Sequence, residues 1–322
     1  MNQEKKVLVW RYWQGMNRGK DLEKLLQFLH TDVIWHGFRP LRRLKGTSQI
    51  GEQFWLPLLD AVPDLVRRPY LFIGGRFKED DWVAGTGDFV GTFAKDWLGI
   101  PASGSSIRFR FGEFCKVDQR KIVEIRCIVD LPELMRQSSV DLLPPSYGRD
   151  IWIPGPLAGD GLLLEEQDPR ESEKTLNLVE EMLYSYDEET HGSQVLEHFW
   201  HPDMVWHGPA GIGSAYGLDE FKRNAQGPIV NAFPDRGWKG HRARITEGAF
   251  AAATGWPSLV GTHQDDFLGW PATGDTIHWN VMDFWKRDED LLLENWNLID
   301  LVDAAWESGV DLLGMLPSRD RR

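Results

Sequence analysis

Asp32-Val33-Ile34-Trp35-His36-Gly37 returns as Asp203-Met204-Val205-Trp206-His207-Gly208, and this recurrence decides the fold. Outward from it, at the same offset, Gly46, Pro57, Ala61, Pro63 and Asp64 return as Gly217, Pro228, Ala232, Pro234 and Asp235. After a one-residue deletion, Gly91-Thr92, Gly99, Pro101-Ala102, Gly104, Glu124 and Asp130-Leu131 recur as Gly261-Thr262, Gly269, Pro271-Ala272, Gly274, Glu294 and Asp300-Leu301. The period is far longer than the roughly 20–50 residues of solenoid and propeller units, so each copy is a whole domain with its own core.

Between the copies, Pro144-Pro145, Pro154-Gly155-Pro156 and Gly159-Asp160-Gly161 break every periodicity. They mark residues 138–169 as a linker, with domain one at 1–137 and domain two at 170–322. The apolar islands Ile151-Trp152-Ile153 and Leu162-Leu163-Leu164 predict a strap packed on a domain. A net charge of −13 over 322 residues, with no Lys/Arg cluster, argues against a nucleic-acid partner. The start carries no apolar signal core, and no window approaches about 18 uncharged apolar residues, so a cytoplasmic, non-membrane protein is expected. Cys115 and Cys127 fit no zinc or disulfide spacing and read as reduced core thiols. The 16 tryptophans read as core, with some lining a pocket for a bulky apolar ligand.

Each copy gives helical periodicity, a short strand, another helix and then several strands, the order of an α+β domain with an antiparallel sheet. Leu22, Leu25, Leu26 and Leu29, and in copy two Leu176, Val179, Met182 and Leu183, carry the first helical signal; a second helix spans Gln49 to Leu59. Extended runs follow over Ile107–Val117 and Ile122–Leu131, matched by Ile277–Lys286 and Leu291–Leu301. If Lys286 pairs with Leu292 across the last hairpin, Asn295 faces Asp283 and Asn297 faces Val281. One face then carries Trp279, Val281, Asp283, Trp285, Asn295 and Asn297, an apolar wall with one acid and two amides. In copy one the same construction leaves Glu113 alone among Phe109, Phe111 and Ile125, with Arg108, Arg110 and Arg126 on the other face.

The order Asp-x-x-Trp-His-Gly, helix, Pro-Asp, then Gly261-Thr262-His263-x-x-x-Phe267-Leu268-Gly269-x-Pro271-Ala272-Thr273-Gly274 and Glu294-x-Trp296-x-x-x-Asp300 resembles the SnoaL-like polyketide cyclases of the nuclear transport factor 2-like superfamily. Copy one diverges, with Phe93, Arg126 and Cys127 in place of His263, Trp296 and Asn297. The resemblance implies two tandem cone-shaped (cystatin-like) domains, each a curved antiparallel sheet wrapped on helices around a hydrophobic pocket. It also implies ring closure by aldol chemistry without metal or cofactor, a carboxylate on an inward strand moving the proton of a carbon acid. The superfamily further holds isomerases, dehydratases and non-catalytic members.

On that footing Asp283 is the expected acid/base and Glu113 its counterpart in copy one. Burial would lift the carboxyl toward neutrality, which proton abstraction needs. Asn295, Asn297 and His207 would orient a substrate or steady its enolate, and Trp206, Trp279 and Trp285 would wall the pocket, with His263 a further contact. His36 is the copy-one candidate beside Glu113, since the resemblance places the strand-end histidine at the pocket mouth. The expected partner is a small apolar carbonyl compound; a non-catalytic binding or scaffolding protein is the alternative. Copy two is expected to keep the chemistry. The arginine face of copy one complements Met282, Phe284, Glu294, Trp296 and Leu298 of copy two, so an intramolecular pseudo-dimer with sheets face to face is expected.

Overall fold

A computed structural model describes residues 3–15, 17, 21–185 and 196–317. Copy one begins with α1 (Gln3–Gly15) and α2 (Leu22–Leu26), then β1 (Leu29–Gly37) and β2 (Arg43–Lys45). A continuous helical stretch follows: α3 (Gly46–Ile50), a π turn at Gly51–Trp55, and α4 (Leu56–Ala61). The long strands β3 (Val66–Phe77), β4 (Asp80–Thr92), β5 (Ser106–Asp118) and β6 (Lys121–Val129) lead to α5 (Leu131–Gln137). Copy two repeats the plan with α6 (Pro169–Tyr184), α7 (Leu196–Phe199), β7 (Trp200–His207), β8 (Ser214–Tyr216) and α8 (Leu218–Phe221). A second π turn at Lys222–Gln226, α9 (Gly227–Ala232), β9 (Gly237–Trp238), β10 (Ala243–Glu247), β11 (Phe250–Thr262), β12 (Thr276–Asp288), β13 (Leu291–Ile299) and α10 (Leu301–Glu307) complete it.

The sheets are ordered β2-β1-β6-β5-β4-β3 and β10-β11-β12-β13-β7-β8, with β9 pairing to β11. Both copies are therefore α+β domains of one topology. Neither sheet is purely antiparallel, because β1 lies parallel to β6 and β7 parallel to β13. Those partners are separated by most of a domain, so no hairpin fixes their direction. Leu29 opens β1 rather than ending a helix. The segment Leu176–Leu183 belongs to α6, the first helix of copy two and so the counterpart of α1.

The last hairpin of copy two is tighter than the sequence predicts. Asp288 pairs with Leu291 across a two-residue turn, and a bulge between Lys286 and Arg287 shifts the ladder. Asp283 consequently faces Asn297, and Asn295 faces Trp285. The error is two residues, so every side chain keeps the expected face.

Inner faces pack on their own helices, with Val9, Trp13, Trp35 and Phe54 buried in copy one and Val179, Trp206, Phe233 and Trp279 in copy two. Outer faces meet in a separate cluster to which both copies contribute: Leu71, Ile73 and Phe114 against Ile245, Met282, Phe284, Trp296 and Leu298. Phe114 and Phe284, counterparts in the repeat, lie 5.6 Å apart between ring centroids. Charge does not join these faces in the way the sequence suggests. Arg108 pairs with Asp88 at 2.7 Å and Arg126 with Glu124 at 2.5 Å, all within copy one. Glu294 instead faces Lys286 at 3.5 Å and accepts from the backbone N–H of Leu157. Arg108 and Arg126 find carboxylates on their own sheet, so these outer faces meet through apolar contact. The ion pairs between the copies are made by other residues, Lys6 with Glu247 at 2.5 Å and Arg39 with Asp303 at 3.0 Å.

The segment between α5 and α6 runs along this seam as a strap. Phe72 and Leu162 form a bridge, and Trp296 Nε1 donates to the carbonyl of Pro154 at 2.9 Å. No helix among the described residues is long and apolar enough to cross a membrane.

Candidate functional site

The inner face of copy two holds Asp283 on β12 opposite Asn297 on β13. Asn297 Nδ2 donates to Asp283 Oδ1 at 2.7 Å; Asn295 Nδ2 reaches the same oxygen at a weak 3.4 Å and gives its better bond, 3.0 Å, to the carbonyl of Phe284. Oδ2 of Asp283 accepts no hydrogen bond among the described residues. Burial pushes the carboxyl up to about 6, against the opposing pull of the two amides. Although deep enough for burial to dominate its protonation, Asp283 is not sealed and keeps partial exposure. Trp279, Val281, Trp285, Asn295 and Asn297 around it retain 3–7 % exposure.

Asn295 has both amide hydrogens committed, so of the two amides only Asn297 has one left for a substrate oxygen. Asn297 Oδ1 is buried with no partner. Trp206 is on the same face, where β7 pairs it with Asn295, and its ring meets Phe221. His263 lies beyond the end of β11, toward the other end of the inner face. It stacks on Phe233 at 5.0 Å, and Phe233 in turn meets Trp279 at 4.9 Å. Both ring nitrogens of His263 are buried without a partner.

The two strand-end histidines fall elsewhere. His207 stacks at 5.7 Å on Trp296, which belongs to the outer face, while its backbone carbonyl accepts from Arg110. Burial, and the nearby Arg110, lower it to about 3, so the ring is neutral and on the opposite side of the sheet from Asp283. Period-two alternation is the reason, since Trp206 points in and His207 must point out. His36 repeats the pattern: it faces Glu124 at 3.8 Å and Trp256 at 6.4 Å, and burial with Arg126 lowers it to about 4.

Copy one answers the same inner position differently. Glu113 is fully buried and lies against Arg67, which bonds both its oxygens at 3.2 Å, while Trp13 Nε1 donates at 2.5 Å. The guanidinium is itself enclosed by aromatic rings, 4.7 Å from Phe111 and 5.0 Å from Trp13. Phe109, Phe111, Cys115, Ile125 and Cys127 around the acid are sealed at 0–1 % exposure. Burial and the charge of Glu113 raise both thiols well above their ordinary range.

Arg67 and Trp13 were not singled out in the sequence, yet the repeat carried a signal for them. β3 pairs Arg67 with Phe89 where β9 pairs Trp238 with Leu259, so Trp238 is the counterpart of Arg67. Counting from the fully buried Val9 and Val179, Trp13 corresponds to Leu183. The paired π turns likewise set Phe54 and Trp55 against Ala225 and Gln226. At the matched positions of copy two stand Trp238, Leu183, Ala225 and Gln226 in place of the cation, the indole donor and the two large rings that close copy one.

The family model for SnoaL-like polyketide cyclase matches residues 6–138 and again 179–306. Among solved structures, TsrD from Streptomyces laurentii is 20 % identical over 44 % of this chain and 98 % of its own, with a TM-score of 0.37. A SnoaL-like polyketide cyclase from Agrobacterium tumefaciens is 20 % identical over 41 % of this chain and 96 % of its own, TM-score 0.34. An NTF2-like protein from Burkholderia thailandensis is 16 % identical over 42 % and 96 %, TM-score 0.34. No curated protein matches the chain.

Proposed function

The chain belongs to the SnoaL-like polyketide cyclase family, and on that premise we propose that copy two binds a small apolar carbonyl compound and moves a proton on it without metal or cofactor. Asp283 is the acid/base. With Oδ1 anchored by Asn297, the free Oδ2 takes a proton from the carbon beside the carbonyl, and the electron pair of that C–H bond passes to the carbonyl oxygen as an enolate. The remaining Nδ2 hydrogen of Asn297 supports that oxygen. Protonated Asp283 then returns its proton, either to another carbon, an isomerisation, or to the alkoxide formed when the enolate carbon attacks a second carbonyl, an aldol closure. Trp206, Trp279 and Trp285 give the apolar wall, with His263 and Asn297 as polar contacts along it. His207 has no part in this scheme.

One observation carries the reading: the inward acid of copy two has no cation, keeps an unengaged oxygen and titrates near neutrality, whereas that of copy one is locked in an ion pair. The test is deuterium uptake at the α-carbon of aryl β-keto esters in heavy water, for wild type and Asp283→Asn. Enzyme-dependent exchange that vanishes in the variant is expected. Exchange unchanged in Asp283→Asn overturns the assignment. If ligands co-purify but no compound exchanges, a binding role for the pocket takes its place.

A further inference from the structure

The copies meet with local twofold correspondence, and at one matched pair of positions the correspondence fails. On one side the backbone N–H of Arg39, in the loop after β1, donates to Asp300 Oδ2 at 3.0 Å. On the other, the backbone N–H of Ala210, in the loop after β7, donates to Asp130 Oδ2 at 3.1 Å. Arg39 and Ala210 are counterparts, because β1 pairs Trp35 with Leu44 where β7 pairs Trp206 with Ala215. Asp130 and Asp300 are counterparts too, each capping a helix by accepting from the residue three further on, Glu133 or Asp303.

The side chains part company there. Arg39 Nε donates to Asp303 Oδ1 at 3.0 Å, and its guanidinium sits 4.1 Å from the ring centre of Trp306. Ala210 sends nothing into the matching place. A cavity of about 700 Å³ lies there, bounded by Ala210, Asp130, Glu133, Arg110, Asp88 and Trp152.

Its charges are unbalanced in the way a missing cation leaves them. Glu133 makes no ion pair among the described residues and accepts only from Gln137 Nε2, at 2.8 Å. Burial, and then the charge of Asp130, push its carboxyl up to about 7. Asp88, 6 % exposed, gives Oδ2 to Arg108 but keeps Oδ1 buried with no hydrogen bond. Four arginines border the cavity. Arg110 is held by Asp130 and the carbonyls of His207 and Gly208, and Arg136 by Asp150, Ser146 and the carbonyl of Pro144. Arg149 is held by Glu220, and Arg108 by Asp88, with its Nη1 buried without a partner. Arg136 stands where Trp306 stands in the other half, and Trp152 of the strap borders the cavity with its ring taken by the Arg108 guanidinium at 3.3 Å.

We propose that this cavity is a second binding site, for a small organic cation carrying a guanidinium or primary ammonium group, which pairs with Glu133 as Arg39 pairs with Asp303. Charge-assisted N–H···O bonds to Glu133 hold the head group. The site lies at the seam of the two copies and shares no residue with the one around Asp283.

Calorimetric titration with agmatine tests it, with N-butylacetamide as the uncharged control. Wild type is expected to bind agmatine with one-to-one stoichiometry and not the amide. Glu133→Gln should weaken binding at least tenfold, the scale of a lost charge-assisted bond. Ala210→Arg supplies the guanidinium from the chain, and should abolish binding while raising the melting temperature. Absence of agmatine binding in wild type overturns the proposal. So does binding that survives in Glu133→Gln, which would then be attraction to the overall negative charge. If Ala210→Arg does not fold, the Glu133→Gln result decides alone.

Discussion

The interiors of the two copies share a topology and an inward carboxylate, yet one is sealed around an ion pair and the other keeps an accessible acid. Copy one places Arg67 and Trp13 on Glu113 and fills the remaining space with Phe54, Trp55 and Phe111. Copy two has Trp238, Leu183, Ala225, Gln226 and Val281 at those places and leaves Asp283 with two amides. A buried carboxylate gripped by a bidentate guanidinium and an indole has both oxygens engaged and none left for a substrate. The same group with only neutral donors hovers between its two forms. Substitutions around one carboxylate thus separate an interior locked in an ion pair from one that keeps an accessible acid.

Two large perturbations test the frame of that comparison. Trp296→Arg puts a cation into the apolar seam where Trp296 is fully buried, so the cost should exceed about 4 kcal/mol, the range of an unpaired buried charge. Small-angle scattering should show the copies separated or the chain expanded; a compact variant that melts as wild type would mean the outer faces do not hold the copies together. Arg67→Leu strands Glu113 in the core and should cost about 3–5 kcal/mol in urea unfolding. A smaller loss would mean that copy one is less sealed than its geometry implies.

Much of this was legible in the chain because repetition reports architecture directly. The copies and the two inner faces, with Asp283 on one of them, follow from spacing and period-two alternation, while the role of Asp283 comes from the family resemblance. What escaped was whatever depends on a partner distant in sequence. Glu113 reads as a lone acid because Arg67 reaches it from two strands away, and the register of the last hairpin slips by two because bulges leave no reliable mark. The resemblance sets His207 and His36 at the pocket, against the alternation that puts their neighbours Trp206 and Trp35 inside. Alternation was the better guide.

Asp283→Asn should sharpen the contrast through stability as well as chemistry. A carboxyl whose folded value is raised from 3.8 to about 6 binds its proton more tightly in the native state. It therefore imposes no penalty below about pH 4, a growing one between 4 and 6, and a constant one above. The asparagine removes that penalty, so the variant should gain on wild type across this window and stay on the order of 1–3 kcal/mol more stable at pH 8. The gain is read from urea midpoints at pH 4 and pH 8. Glu113→Gln should instead lose stability at both. Equal behaviour of the two variants would erase the distinction between the copies.

The smallest change tests the distinction from within copy two. Trp238→Arg places a guanidinium where copy one has Arg67: its neighbour Leu259 pairs with Trp279, four residues before Asp283, as Phe89 pairs with Phe109, four before Glu113, although the bulge lengthens β11 over that span. An opposite charge within about 4–6 Å favours the ionised carboxylate and lowers its pKa by one to three units. Asp283 should then titrate below 5 by carbon-13 NMR of its carboxyl, losing basicity while the fold persists. Proton-transfer activity should fall with it, and adding Leu183→Trp should deepen the effect by restoring the indole donor. If Asp283 still titrates near 6 in the double variant, the guanidinium alone does not explain why one copy is locked, and the bulge in β11 between Gly255 and Leu259, which copy one lacks, becomes the feature that sets the two interiors apart.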